Sequence, residues 1–526
     1  MRIRTRVNLS CMNQWVVLCN ALMLLLTFTE SWTPSTGAQL REHGVPSLIL
    51  RTQIPLYASS RSASVKSGDP AQHIHNQSAS ETLEHDEDKE TYQINLQLAD
   101  WASQCARQRN VTAATLALET LRNMKRPDTV AYNSVIKAVA KVTPARILQV
   151  PSTKVAEQLL QDMKDLCESQ VEANRAWYDR LSDGTLSDIE ISQGPPRVRI
   201  KPNVRSYSTV MDALARKGNL EAARRAEKIL EDLESAFLVT GDLALEPNLI
   251  SYNTLLSAYA KCGGEVAVSE CLDILASIPM QPDVISYNNV LHAIARSGNA
   301  DAGEQVQAML DKMQTRGISP NARSYTTSMD AWSQSGRVDR AYALLEEVLI
   351  RFEKTQDMSL KPNAISFSTL IHAYAVSKEE DKALKAYKVF LKMKENDVLP
   401  NRYTFNNLLN ACATSRSTPR VLELVKKLYH KVLRDYGPDH FTFGTVLKAC
   451  ANLLVKDRSF APTVFREACK RGQVSSGVLW QLRQAVPVET YRELLGGQDG
   501  HDIPWNDLPP EWKRNVRDGR NRKISK

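Results

Sequence analysis

The sequence predicts an all-α fold, an α-solenoid of stacked helical hairpins, and three observations support that expectation. A seven-residue pattern, P-[DN]-x-x-[STA]-[YF]-[NSTG], occurs eight times, beginning at Pro127, Pro202, Pro247, Pro282, Pro320, Pro362, Pro400 and Pro438. The copies are spaced 75, 45, 35, 38, 42, 38 and 38 residues apart, and such a period marks an array of small supersecondary units. Inside one unit, Leu249 to Ala260 carries helical apolar spacing, Gly263-Gly264 breaks it, and a second amphipathic stretch passes through Leu272 and Ile278. A hairpin this small cannot bury its own apolar face, so neighbours stack to do it.

The elements follow in chain order. Arg2, Arg4 and Arg6 precede an apolar run from Trp15 to Phe28, the layout of a secretory signal peptide over residues 1–31. Interrupted by Asn20 and Thr27, that run is too short to span a bilayer comfortably. Within residues 32–93, the stretch 33–80 is rich in Ser, Gln, His and Arg, with only Glu42 and Asp69 as acids. That composition reads as a structureless transit peptide. The junction Glu30-Ser31-Trp32-Thr33-Pro34 resembles the bipartite leader of algae with complex plastids. The resemblance implies import into a plastid, with the secretory pathway and the mitochondrion as alternatives.

Residues 94–128 have the length of one unit and end in Pro127-Asp128 but lack the aromatic signature, which suggests a degenerate capping repeat. The array proper covers 129–449. Its first spacing holds an insertion near 142–200, with an acidic piece from Asp179 to Glu190 and then Gly194-Pro195-Pro196. Insertions in solenoids fall in loops, so a protrusion at one edge is expected. Residues 450–495, with helix-like stretches over 462–471 and 478–495, close the other end as a helical cap. Residues 496–526 form a basic tail, expected to be loosely docked or disordered.

Composition excludes several classes. Hydrophobic residues at 43% and charged residues at 24% exclude wholesale disorder and a polytopic membrane protein. The net charge of +8 sits at the ends, because residues 81–510 carry 53 basic and 54 acidic side chains. Bulk charge therefore argues for no polyanionic partner. The nine cysteines are dispersed, without a C-x-x-C, and read as plain buried thiols rather than a disulfide or zinc framework.

Chemistry concentrates in the signature. Immediately after the aromatic come Asn133, Ser208, Asn253, Asn288, Thr326, Ser368, Asn406 and Gly444. A merely solvated helix face would favour Glu, Lys and Arg, so this row reads as a surface that a ligand approaches and hydrogen-bonds. The alternative is a polar seam between stacked hairpins. Two residues before the aromatic stand Val130, Arg205, Ile250, Ile285, Arg323, Ile365, Tyr403 and Phe441. These flat or apolar groups suit sandwiching between bases, with ordinary packing as the alternative. Nine residues after the aromatic, Lys141, Arg216, Lys261 and Arg296 form a basic row that could track phosphates. Cations offsetting helix dipoles are the other reading. The Asp or Asn after each proline is a favoured helix N-cap.

The Trp-x-x-Leu-Gly pattern of tetratricopeptide repeats is absent. Over residues 94–449 the signature and period instead resemble those of pentatricopeptide repeat proteins of the P type, the organellar binders of single-stranded RNA. That resemblance implies a superhelical solenoid reading one base per repeat. Each base would be contacted by the small polar residue of one unit and the cap residue of the next: Asn133 with Asn203, Ser208 with Asn248, Asn253 with Asp283, Asn288 with Asn321, Thr326 with Asn363, Ser368 with Asn401, and Asn406 with Asp439. The family's code then implies a core 5′-Y-A-U-Y-A-A-U-3′. It further implies a role in organellar transcript processing, stabilisation, splicing or translation. The protein is expected to be a monomer off the membrane once its leader is removed, with RNA-processing factors as further partners.

No catalytic residue, cofactor or metal is expected. A zinc deaminase needs H-x-E with P-C-x-x-C, and His85-Asp86-Glu87 supplies only the first half. No Walker motif or G-x-S-x-G occurs. A protein-binding helical-repeat scaffold is the second function class.

Overall fold

The computed structural model describes residues 71–453, 459–496 and 505–516, with side chains from residue 89 onward. The signal peptide at 1–31, most of the transit segment and residues 517–526 of the tail lie outside the described residues. The chain divides into two compact units, residues 1–90 and 91–526, and the helical array lies in the second. Helix α1 (Ala71–Gln108) reaches back into the segment expected to be structureless up to residue 93. Its buried residues Leu98, Ala102 and Cys105 belong to the same core as those of α2 (Val111–Asn123), and Asn95 Nδ2 donates to Asp128 Oδ2 at 2.9 Å at the start of the array.

Each unit begins with a short first helix: α3 (Thr129–Val142), α6 (Val204–Ala215), α8 (Leu249–Ala260), α10 (Val284–Ala295), α12 (Ala322–Gln334), α14 (Ala364–Val376), α16 (Arg402–Ala413) and α18 (His440–Asn452). First helices pack on the preceding and following first helices and on their own second helix. They are therefore buried nearly all round; in α8, Tyr252, Leu255, Leu256, Ala258, Tyr259 and Ala260 are all core. Second helices bury one stripe only, as α9 (Gly264–Ser277) does with Ala267, Val268, Cys271, Ile274 and Leu275. The result is a two-layer α-solenoid with one continuous core.

Unit length is set in the second helices and the loops behind them. Those of 14 residues, α9, α11 (Ala302–Thr315) and α15 (Lys382–Glu395), belong to units 35 or 38 residues long. The 45- and 42-residue units carry longer ones, α7 (Leu220–Thr240) and α13 (Val338–Thr355). Each of these ends in a left-handed residue, Gly241 or Gln356, followed by a one-turn 3-10 helix that buries Leu245 or Leu360. At the Gly263 turn a left-handed backbone and tight packing coincide: φ is +72°, and a Cβ would sit 2.9 Å from the Arg296 carbonyl oxygen.

The insertion is not a loop at the edge. A two-residue hairpin, β1 (Arg146–Ile147) antiparallel to β2 (Val150–Pro151), leads into α4 (Ser152–Ser182), followed by α5 (Asp188–Gln193). The first turns of α4 are the unit's own second helix, since Ala156, Leu159, Leu160 and Met163 are buried at helical spacing. Burial stops at Met163, and the rest of α4 extends from the array.

At the far end α17 (Pro419–Asp435) and α19 (Phe460–Lys470) complete the seventh and eighth signature units. The stretch expected to be one helix over 478–495 is two, α20 (Ser476–Ala485) and α21 (Val488–Leu495). Pro487 has no N–H to continue the first. The tail is partly fixed as well. Trp505 Nε1 donates to the Val474 carbonyl at 2.7 Å, Val474 N–H donates to the Trp512 carbonyl at 2.8 Å, and the Trp512 ring meets Phe465 edge-on. A short helix α22 (Pro510–Lys513) lies in this strap, which covers the last hairpins.

Candidate functional site

The signature proline is followed in every unit by the N-cap of the first helix. Asp128, Asn203, Asn248, Asp283, Asn321, Asn363, Asn401 and Asp439 each accept a hydrogen bond from first-turn backbone N–H groups. The third residue of seven of these helices is Ser206, Ser251, Ser286, Ser324, Ser366, Thr404 or Thr442, all buried. Sequence reasoning recorded this hydroxyl but gave it no role.

Its role is to join one unit to the one before. Asp283 Oδ1 accepts the Ser286 N–H at 2.8 Å and lies 2.9 Å from the Ser286 hydroxyl, which in turn lies 2.7 Å from Asn253 Oδ1. Asn253 Nδ2 closes the triad by donating to Asp283 Oδ1 at 3.1 Å. The same triad joins Asn288 to Asn321 and Ser324, at 3.4 and 2.6 Å, and Asn406 to Asp439 and Thr442, at 3.4 and 2.8 Å. Where the small polar residue is a hydroxyl, its contact across the unit boundary is with the hydroxyl ahead: Ser208 to Ser251 at 3.1 Å, Thr326 to Ser366 and Ser368 to Thr404 at 2.8 Å, Thr326 also donating to the Ala322 carbonyl of its own helix.

The small polar row is thus a hydrogen-bonded seam between hairpins in addition to any surface it offers. Asn253, Asn288 and Ser368 are 9%, 4% and 1% exposed. Capacity remains at its edge: the Asn253 and Asn288 amides each have a second N–H, and Asp283 Oδ2 takes none of the three bonds made to Oδ1. Asn133 is the exception, for its Oδ1 is buried without a partner while Ser206 is committed to Asn203. Burial alone would raise the Asp283 carboxyl, but hydrogen bonds from Ser286, Asn253 and Ile285 outweigh it and hold it below the usual range. Burial is likewise overcome at Asp439 by Thr442, Asn406 and the Arg402 charge.

The row two residues before the aromatic is exposed to solvent. Val130, Ile250, Ile285, Ile365, Tyr403 and Phe441 are 55–67% exposed, and Arg205 and Arg323 are exposed with them. The aromatics themselves, from Tyr132 to Phe443, are core. Packing near the helix start therefore does not account for the exposed row, and a succession of large apolar groups left in water marks a contact surface.

The basic row divides in two. Asp212 Oδ2 lies 3.3 Å from Lys141 Nζ and 3.0 Å from the Arg216 guanidinium, so one carboxylate serves two of the four cations. Further along the compensation is weaker, with Asp212 acting on Lys261 and Asp330 on Arg296 only at longer range. Burial, only partly offset by Asp212 and reinforced by Arg216 and Arg323, pushes the Lys261 ammonium down. Burial and then the cations of Arg296, Arg323 and Lys261 hold the His292 imidazole low as well. Lys261, Arg296 and Arg323 thus crowd one stretch of the first-helix face, and an anion there would relieve their repulsion. Among the cations near the same offset in later units, Arg416 pairs with Glu380 at 3.1 Å and Arg337 lies over the Trp332 ring.

Among the described residues no cluster of His, Cys, Asp or Glu could hold a metal ion, and no helix is long and apolar enough to cross a membrane. The seven described cysteines are free; burial pushes the Cys271 and Cys412 thiols up to about 12.

Repeated hairpins, capped at each proline and stitched through a polar seam, define a helical-repeat protein. Residues 196–262 and 351–415 match the pentatricopeptide repeat domain, and residues 282–334 match the PPR repeat family. These three segments of the chain are pentatricopeptide repeats. No curated protein sequence matches it. Among solved structures it is similar to the maize pentatricopeptide repeat protein PPR10, at 20% identity and a TM-score of 0.41, over 74% of this chain and 49% of that one. It is also similar to PPR10 in complex with an 18-nt psaJ RNA element, at 18% identity and 0.36, over 75% and 60%. Yeast Rmd9p in complex with a 16-nt target RNA aligns at 11% identity and 0.41, over 75% of this chain and 84% of that one. This chain spans about half the length of the maize protein.

Proposed function

We propose that this protein binds single-stranded RNA sequence-selectively and acts in organellar RNA metabolism, by positioning RNA and not by catalysis. The observation that carries the reading is the exposed row from Val130 to Phe441, repeated once per unit beside the polar seam. Splayed bases need flat apolar groups between them, and every base offers a face to such groups. The seam edge supplies identity. At Asn253 and Asp283 an amide N–H stands beside an acceptor-only carboxylate, which complements the adjacent acceptor and donor of uracil.

The test uses the 35-residue unit. Replacing Asn253 by Thr should move preference at the third base of 5′-Y-A-U-Y-A-A-U-3′ from uracil toward guanine. A mismatch costs about 1–3 kcal/mol, so relative affinity should change by about tenfold or more. Equal binding of both RNAs by parent and variant would favour the protein-binding scaffold. The plastid address rests on the leader pattern alone. A fluorescent fusion to residues 1–90 should enter plastids, and secretion or a mitochondrial pattern would refute it.

A further inference from the structure

The last hairpin carries no signature, yet its first helix keeps the register of the array. Ser475 caps α20 by accepting the Val478 N–H at 3.2 Å. Counted from that cap, the third, fourth and seventh residues, Val478, Leu479 and Leu482, are buried. Counted from Asp439, so are Thr442, Phe443 and Val446 of α18, on which α20 packs. The second and fifth positions therefore correspond too. Gly477 stands where the eighth unit has Phe441, and Trp480 stands where it has Gly444.

Trp480 breaks the pattern of its row, which otherwise holds only Asn, Ser, Thr or Gly. It is 60% exposed, and it is the one tryptophan among the described residues left so open to water. Gly477 is open as well: a Cβ there would meet only Ser475 Oγ, at 3.7 Å. Side chains on a helix lean toward its N-terminus and meet neighbours three residues back, so the Trp480 indole overhangs the space that Gly477 leaves empty. One unit earlier Phe441 is 66% exposed. At Gly444 a Cβ would meet only Val478 Cγ2, at 3.9 Å, so no side chain occupies the reading position. The Ser475 hydroxyl is buried and committed to its own helix.

We propose that Trp480 is a terminal stacking platform: with Phe441 it holds one further nucleobase of single-stranded RNA, next after the base read by Asn406 and Asp439, and accepts any base there. The two exposed rings replace the pair of row residues that sandwich each earlier base. Selectivity is lost because Gly444 has no side chain and the Ser475 hydroxyl is buried at its own cap. The inference rests on the RNA-binding reading above and adds to it a site that the signature does not contain.

The experiment compares the seven-nucleotide core RNA with four eight-nucleotide RNAs that add A, C, G or U at the 3′ end, using the full chain. All four additions should tighten binding by about tenfold, the scale of one base stacked on an aromatic ring. Trp480→Ala should abolish that gain and leave affinity for the core RNA unchanged, while Trp480→Tyr should keep most of it. Because the side chain is exposed, all three proteins should melt at the same temperature. The proposal is overturned if the added nucleotide brings no gain, if only one base brings it, or if Trp480→Ala retains it. Failure of the parent to bind the core RNA at all would strike the RNA-binding reading itself, so the two failures are distinguishable.

Discussion

Replacing Ser286 by Ala tests whether the seam both holds the array together and aims the reading side chains. The hydroxyl is fully buried and serves Asn253 Oδ1 at 2.7 Å, Asp283 Oδ1 at 2.9 Å and the Asp283 N–H at 3.2 Å. Its loss leaves an amide oxygen and a backbone N–H short of a partner, at about 1–3 kcal/mol for each group that water cannot reach. Both lie at the partly open edge of the seam, so the net cost should be about 2–3 kcal/mol. Ser206→Ala is the internal control. Ser206 bonds only within its own cap, to Asn203, and nothing from it reaches Asn133. Its loss should cost only about 1 kcal/mol. Because repeat arrays open in parts, hydrogen exchange of the α8 and α10 amides is the appropriate readout, beside thermal melting. With Asn253 Oδ1 released and only its amide N–H still on Asp283, Ser286→Ala should also weaken discrimination at the third base while keeping affinity for mismatched RNA. Equal costs for the two variants, or intact third-base preference in Ser286→Ala, would refute the reasoning.

Replacing Lys261 and Arg296 by Gln should lower the salt dependence of RNA binding by about two ions' worth, whereas replacing Lys141 and Arg216 should lower it by about one, since Asp212 already neutralises one of that pair; equal losses in salt titrations would contradict this division. The depressed carboxyls of Asp283 and Asp439 contribute stability that is whole above the unfolded-chain value near 3.9 and is lost as pH falls through their lower folded values. Asn at both positions keeps the caps, so melting curves between pH 2 and 6 should show a shallower acid loss in the double variant than in the parent. Gly303→Ala should destabilise α11 despite a helix-propensity gain of about 1 kcal/mol, because a Cβ there would run into the buried Trp332 ring. Overpacking of that kind costs about 1–3 kcal/mol, and a raised melting temperature would show that Trp332 moves aside freely.

The repeat boundaries were legible because three local signals coincide at each one: a proline that stops the preceding helix, an Asp or Asn suited to capping, and an apolar period of 3.6 after it. The exposed row was legible for a related reason, since Ile285 or Phe441 two residues after a cap cannot share the buried face of Tyr287 or Phe443. The seam was not. The hydroxyl of Ser286 and the amide of Asn253 are 33 residues apart, and only the stacking of one first helix on the next brings them within 2.7 Å. The helix within the insertion was missed because its length was counted before its pattern: Ala156, Leu159, Leu160 and Met163 already spell a core-facing helix.

By itself, then, the sequence determined the hairpin unit, its number and the residue types presented at each position, because helix caps, breaks and amphipathic period are set by neighbours along the chain. Tertiary structure alone decided which of those residues remain available. It drew the small polar row into contacts between units, neutralised part of the basic row through Asp212, carried residues 505–516 back onto the last hairpins, and set Trp480 in the register of the small polar row. Each of these depends on contact between helices one or more units apart, where distance and burial, and not local propensity, fix the free energy.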